Sequence, residues 1–473
     1  MEDRYRILHE FDVDLWIRAW YDKNGLCGDT RKNGGIPYMK LNYRRTIFIG
    51  LAFLSIAGFW QIYDSIIPLM LQNTFHMGET VTGAIMAMDN VLAIFLLPLF
   101  GSLSDKTDTK IGKRMPFIVA GTLLAVIFFM LLPVADRKEN LFFYVGLLFV
   151  LLISMGLYRS PAVALMPDLT PNHLRSKANA IINLMGAVGG VYALIMIKIL
   201  VGPGERPDYF PLFVSIGILM LVSVAVLFFV IKEKRVAAQV EAEVEAYEAA
   251  TGENIKAAVK DAGENVRKAV MPGEVKRSML FLLISIFLWF AAYNAVTTAF
   301  SRYTRVVWHM EGGSFADCLM VATVAAILSY IPIGSISSKI GRKKTIMAGI
   351  VLMSICYFAA MFANTYHPMI NVAFALIGIG WASINVNSYP MIVEMSKGSD
   401  IGRFTGTYYT FSMAAQIFTP VLSGFLLESI SYRTLFPYAL VFSAAAFFTM
   451  AQVRHGDSRP EKKAALENFD IDD

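Results

Sequence analysis

The chain has 473 residues, of which 56% are hydrophobic and only 17% charged, with 34 Phe, 25 Met and a formal net charge of +5. A soluble chain of this length carries more charge, whereas here the apolar residues fall in runs of roughly 20, long enough to cross a bilayer as helices. Alternating strand patterning is scarce, which argues against a β-barrel, and basic loops facing anionic headgroups account for the charge without a nucleic-acid partner.

Residues 1–46 are polar and charged and do not read as a secretory signal. Within them Leu8, Phe11, Leu15, Trp16, Ala19 and Trp20 recur at helical spacing opposite Asp12, Asp14 and Arg18. That pattern predicts an amphipathic helix on the inner membrane surface or a short helix packed under the bundle. Twelve apolar runs follow, near 47–70, 81–101, 115–134, 141–166, 177–200, 210–232, 278–301, 315–337, 345–364, 369–395, 403–427 and 434–452. Backbone polar groups must be satisfied within lipid, so each run is expected to be a helix, with Pro68, Pro98, Pro161, Pro390 and Pro420 tolerated inside. Placing both termini in the cytoplasm puts 34 of the 42 Lys and Arg residues in cytoplasmic segments. Six then lie outside, and Arg159 and Lys198 lie within spans. This positive-inside bias sets the expected topology of a multi-pass protein of the cytoplasmic membrane.

One phrase occurs twice. Residues 101–118 read GSLSDKTDTKIGKRMPFI, and residues 334–346 read GSISSKIGRKKTI. Gly101, Ser102, Ser104, Lys106, Ile111 and Gly112 recur as Gly334, Ser335, Ser337, Lys339, Ile340 and Gly341. Each copy is a basic loop between the second and third runs of its half, so the chain divides into related halves, 47–232 and 278–452. Internal repeats of this kind imply a secondary transporter. Residues 233–277, rich in Ala, Glu and Lys, read as a partly helical cytoplasmic linker, and 453–473 as a cytoplasmic tail. Cys27, Cys318 and Cys356 are too few and too scattered for a disulfide framework or a metal site. With no phosphate loop, zinc motif or nucleophile elbow in the chain, neither an enzyme nor an ATP-driven pump is expected, and no cofactor.

The first loop resembles the signature of the major facilitator superfamily between its second and third helices. Its longer spacer before Met115-Pro116-Phe117 resembles that of the sucrose transporters and their relatives, the glycoside–pentoside–hexuronide:cation symporters. SPAVALMPDLTPNHLRSKANA, residues 160–180, resembles their junction of the fourth and fifth helices. The resemblance covers about 47–452. It implies an all-α membrane protein with twelve transmembrane helices in two six-helix pseudo-repeats, and a small-molecule substrate such as a sugar or glycoside. Two positions depart from the pattern. Val163 stands where sucrose carriers have an Arg, and apolar residues such as Ile94 and Leu97 precede Pro98 where melibiose-type carriers have two acids. Proton coupling is therefore expected rather than sodium.

Gly101, Asp105, Lys113 and Arg114 of the first loop, with Asp168, Arg175, Glu394 and Arg403 at corresponding places in the two halves, form a candidate inner gate. Asp168 with Arg175 and Glu394 with Arg403 are the corresponding sets, read with the loop residues as one network that holds the halves together when the carrier opens outward. Topology-setting charge is the alternative reading of these residues. Charges inside spans are costly and usually face a cavity or a partner, which singles out Asp64, Asp89 and Arg159 for coupling and substrate contact. Trp60, Gln61, Tyr63, Tyr293, Asn294, Trp381, Asn385, Asn387 and Gln416 supply the amides and rings that a sugar site needs. Tyr408 and Tyr409 stand beside them. Packing between helices is the competing role for each. The functional expectation is sugar or glycoside uptake with protons by alternating access, and the alternative is export of amphipathic organic compounds or drugs.

Overall fold

A computed structural model describes residues 41–171, 174–251, 272–395 and 401–457. The expected amphipathic helix, Cys27, residues 252–271 of the linker and residues 458–473 lie outside the described residues. Thirteen α-helices and a short 3₁₀ turn, Tyr432–Thr434, are present among the described residues. In chain order they are α1 (Tyr43–Asn73), α2 (Glu79–Lys106), α3 (Met115–Arg137), α4 (Leu141–Asp168), α5 (Arg175–Leu200), α6 (Phe210–Val230) and α7 (Glu233–Thr251), then α8 (Gly273–Val307), α9 (Ala316–Ile340), α10 (Arg342–Ala360), α11 (Ile370–Met395), α12 (Ile401–Ser429) and α13 (Leu435–Ala451). All but α7 are long and apolar enough to cross a membrane, which makes twelve such spans among the described residues.

Most helices overrun the apolar runs that predict them. Hydropathy registers only the hydrocarbon-facing part, while backbone hydrogen bonding continues into polar ends. Asn42 caps α1 by accepting from the Arg45 amide at 3.0 Å, and Asn140 caps α4 through the Phe143 amide at 3.0 Å. All five expected prolines lie inside continuous helices.

Helices α1–α6 pack mainly among themselves, and so do α8–α13. Among the described residues the halves meet mainly through three pairs: α2 with α12, α5 with α9, and α1 with α8. The two motif loops lie at one end of the bundle, called here the motif face. At the opposite, far face the α2–α12 crossing is so close that a methyl group at Gly83 would overlap the Pro420 carbonyl. Glu79 approaches Gly424 in the same way.

Candidate functional site: a central cavity between the halves

The far face is sealed by polar contacts across the two halves. Arg302 of α8 donates from Nε to both oxygens of Glu79 of α2, at 2.8 and 3.2 Å, and both side chains are buried. Glu428 of α12 accepts at 2.8 Å from the Thr80 amide and so caps the N-terminus of α2. Lys198 pairs with Asp317 at 2.8 Å, and the Gly313 amide donates to the Val201 carbonyl at 3.1 Å.

On the motif side of this seal lies a cavity of about 990 Å³. Its first-half wall carries Gln61, Asp64, Asn90, Arg159 and Ser160, and its second-half wall carries Tyr293, Asn294, Trp381 and Gln416 among other residues. The seal and the cavity divide each helix in turn: Glu79 and Gly83 precede Asn90–Pro98 on α2, and Gly406–Ile417 precede Pro420–Glu428 on α12. Arg159 lies 5.7 Å over the Trp60 ring, a cation–π contact that holds the guanidinium against α1. Asp64 and Asp89 are within Coulombic range of one another, and Asp89 of Arg159. The Asn90 amide donates to Asp89 at 2.7 Å. Opposite, the Tyr293 and Trp381 rings stack at 3.8 Å with planes 3° apart, and Phe290 meets Trp381 edge-on at 5.3 Å. Asn294 has a buried Nδ2 without a hydrogen-bond partner among the described residues.

Seven of the predicted substrate and coupling residues meet in the cavity: Gln61, Asp64, Arg159, Tyr293, Asn294, Trp381 and Gln416. The other five sit elsewhere. Trp60 lies behind Arg159, and Tyr63 is buried, donating to the Met86 carbonyl at 3.2 Å. Asp89 is turned toward Asn90. Asn385 is buried, and Asn387 holds α9 to α11 by accepting from Ser337 while donating to the Ser383 carbonyl at 2.9 Å. Asn90, Phe290, Thr297, Thr323 and Ser412 line the cavity without having been singled out by sequence. Asn90 had a readable signal, an amide next to a charged residue inside a span.

At the motif face, no described ion pair joins one six-helix half to the other. Arg114 donates from Nε to Asp168 at 2.8 Å, and also reaches Asp105 and the Gly101 carbonyl. Lys113 meets Asp168 at 3.1 Å. The start of α3 brings Arg114 onto Asp168. Arg175 instead donates to the carbonyls of Pro167 and Thr170. Glu394 pairs with Arg342 at 2.5 Å, the counterpart contact in the second half. The Arg403 side chain lies outside the described residues.

A feature missed from sequence explains the glycine that recurs in the motif. Glu233, the first residue of α7, accepts from the amides of Lys113 at 2.8 Å, Arg114 at 3.0 Å and Met115 at 2.8 Å. Its carboxylate thus caps α3. Asp457, just past α13, accepts from the Lys343 amide at 2.7 Å near the start of α10. Gly112 and Gly341 adopt positive φ of 125° and 97°, and a side chain at either would collide with the capping carboxylate. Each half is therefore fastened by an acid just beyond its last membrane helix.

Comparison with known proteins adds the family. The family model for the Major Facilitator Superfamily matches residues 49–327 and 308–471. A chloramphenicol resistance protein, CraA of Acinetobacter baumannii, is 27% identical over 101 residues, 21% of this chain and 24% of that protein. Sucrose transport protein SUC4 of Arabidopsis thaliana is 33% identical over 114 residues, 21% of this chain and 22% of that protein. The chain thus spans about a quarter of the length of each of these two relatives. The inward-open xylose transporter XylE of E. coli superposes with a TM-score of 0.64 at 14% identity, covering 90% of this chain and 98% of that one, which is a likeness of fold.

Proposed function

The chain belongs to the major facilitator superfamily, a multi-pass membrane transporter, and from that premise we propose that it takes up a sugar or glycoside together with protons by alternating access. The observation that carries this reading is the cavity itself. It sets a carboxylate and a guanidinium, Asp64 and Arg159, across from stacked rings and an unpaired amide, Tyr293, Trp381 and Asn294. Sugars are held by such a mixture, with hydroxyls on charged and amide groups and apolar C–H faces on rings. Asp64 is the proton carrier in this reading, since a carboxylate lining a membrane cavity can exchange a proton as the cavity changes sides. The similarity to a sucrose transport protein supports the sugar class.

The mobile units are the two six-helix halves, 47–232 and 278–452, rocking about the central cavity. The motif face is cytoplasmic and the membrane is the cell membrane, on the charge distribution of the loops. Asp105, Arg114, Asp168 and Glu394 act as a gate that engages the opposite half once the motif face closes.

The test is uptake into proteoliposomes. Radiolabelled sugars and glycosides are supplied with an imposed proton gradient, with a sodium gradient, or with neither. Accumulation driven by the proton gradient alone is the expected result. Sodium-driven accumulation would overturn the coupling, and outward transport of hydrophobic dyes without any glycoside uptake would overturn the class.

A further inference from the structure

A second enclosed space lies at the far face, in the seam between the halves and apart from the central cavity. It measures about 10 Å³, close to the least that holds one solute of water size. Val201, Gly204 and Tyr209 line it from the first half, and Ser301, Arg305 and Gly312 from the second. Ser301 and Arg305 stand one turn apart on α8 and so share a face. Arg302, between them in sequence, pairs with Glu79 instead. Gly312 has a φ of 56°, and a methyl group there would overlap the Val201 and Gly202 carbonyls, so the two loops meet backbone to backbone.

The polar groups of this space differ in what they have left to bond. The carbonyls are engaged: Val201 accepts from the Gly313 amide at 3.1 Å, and Gly204 from Arg305 Nη2 at 3.2 Å. The Ser301 hydroxyl and the Tyr209 phenol are not. Both residues are only 3% exposed, and neither oxygen has a hydrogen-bond partner among the described residues. Asn73, beside the phenol, has an unpartnered Nδ2 as well. Among the described residues no carboxylate pairs with Arg305, whose charge lies within Coulombic range of Tyr209. Asp136 is also within range of the phenol, but it does not line the space and has Arg137, Glu139 and Arg206 around it. What remains is donor capacity beside an unneutralised guanidinium. A water accepts from two donors and leaves the charge unanswered, and a cation is repelled. A small anion accepts from both hydroxyls and the guanidinium at once, and supplies the missing charge.

We propose that this space binds a small monovalent anion of chloride size, held by Tyr209, Ser301 and Arg305, and that the site exists only while the far face is closed. Neither half carries the whole set, because Tyr209 belongs to the first and Ser301 and Arg305 to the second. Separation of the halves dismantles the site. The anion therefore adds to the Glu79–Arg302 seal, whatever the substrate, and displaces the equilibrium toward the state that binds it.

The experiment takes the purified full chain in detergent and sodium gluconate, and titrates in sodium chloride at constant ionic strength while thermal unfolding is followed. A saturable rise of the unfolding midpoint is expected with chloride and with bromide, and none with isethionate, which is too large for the space. Arg305→Gln and Ser301→Ala should abolish the rise, and a wild-type midpoint in gluconate shows that they are folded. Tyr209→Phe removes one donor and keeps the ring, so the chloride concentration at half-effect should increase about tenfold. Should the Arg305 variant unfold in gluconate, Tyr209→Phe decides alone. The second readout is Thr297→Cys, in a background without the native cysteines, labelled from the far side of proteoliposomes by an impermeant maleimide. At chloride ten times the half-effect concentration, labelling should be about tenfold slower than in gluconate, following 1 + [L]/Kd. Equal midpoints in chloride and gluconate throughout would overturn the anion site and assign the space to water. A saturable rise that is unchanged in Tyr209→Phe would put the anion elsewhere and overturn the assignment. A rise that the variants abolish, with labelling unchanged by chloride, would overturn the restriction to the closed state.

Discussion

The carboxylate of Glu233 occupies the space that a side chain at position 112 would need. The two residues are separated by four membrane helices in sequence, yet each explains the other. Gly112 supplies a positive φ and an open seat, and Glu233 fills the seat by accepting from three amides at the start of α3. Glu233→Ala should cost about 1–3 kcal/mol, the range for charge-assisted hydrogen bonds to a buried acceptor. Gly112→Ala should cost more, adding backbone strain to the collision. In the double variant the collision disappears and the strain remains, so the combined loss should fall short of the sum of the singles. Thermal unfolding of the four proteins in one detergent completes the cycle, and strict additivity would show that the residues do not interact.

Asp64→Asn removes the proposed proton site while keeping size and hydrogen bonding. Gradient-driven accumulation should be lost, while counterflow exchange of substrate across proteoliposome membranes persists. Normal accumulation against a gradient in this variant would transfer the coupling role to Asp89, to be tested in the same assay.

Arg159→Lys keeps the charge and loses the planar fork that lies over Trp60. Substrate binding by titration should weaken about tenfold, since an ammonium neither stacks as a plane nor donates five ways. Wild-type affinity in the Lys variant would reduce Arg159 to a balancing charge.

Glu79→Gln leaves Arg302 buried without its counter-charge at the far face. Breaking a buried pair costs about 3–5 kcal/mol in the state that buries it, and nothing comparable where water reaches the cation. The equilibrium should therefore move toward the state open at the far face by about a hundredfold or more. A single cysteine at Thr297, in a background without Cys27, Cys318 and Cys356, reports this through labelling by a membrane-impermeant maleimide from the far side. Unchanged labelling in a stably inserted variant would show that the pair does not discriminate between the two states.

The legible part of this molecule was the part for which lipid leaves little choice. Twelve apolar runs became twelve long helices, because a hydrocarbon environment admits no other backbone solution for them. Asp64 and Arg159 were legible as cavity residues for the same reason, since a charge must find water or a partner. The rings were less so. Tyr63 and Tyr293 look alike in sequence, yet one is buried against Phe59 and the other lines the cavity, a difference set by helix rotation. Asn387 and Gln416 diverge in the same way, one spent between helices and the other at the cavity wall. Glu233 was illegible because it opens a charged linker where an acid attracts no notice. The recurring motif glycine was visible, but the carboxylate that makes a glycine necessary lies more than a hundred residues away.

The division of the cavity walls also has an electrical side. Moving one elementary charge across a full membrane potential is worth about 2.3 kcal/mol per 100 mV. Asp64, Asp89 and Arg159 all ride on the first half, on α1, α2 and α4. Whatever part of the voltage drops across the cavity therefore pulls on that half, while the aromatic half presents no formal charge from its lining side chains. On the mechanism proposed above, the pair of bundles is a lever with one electrified arm, its torque set by the protonation of Asp64, and the other arm follows through the seam of α2 against α12.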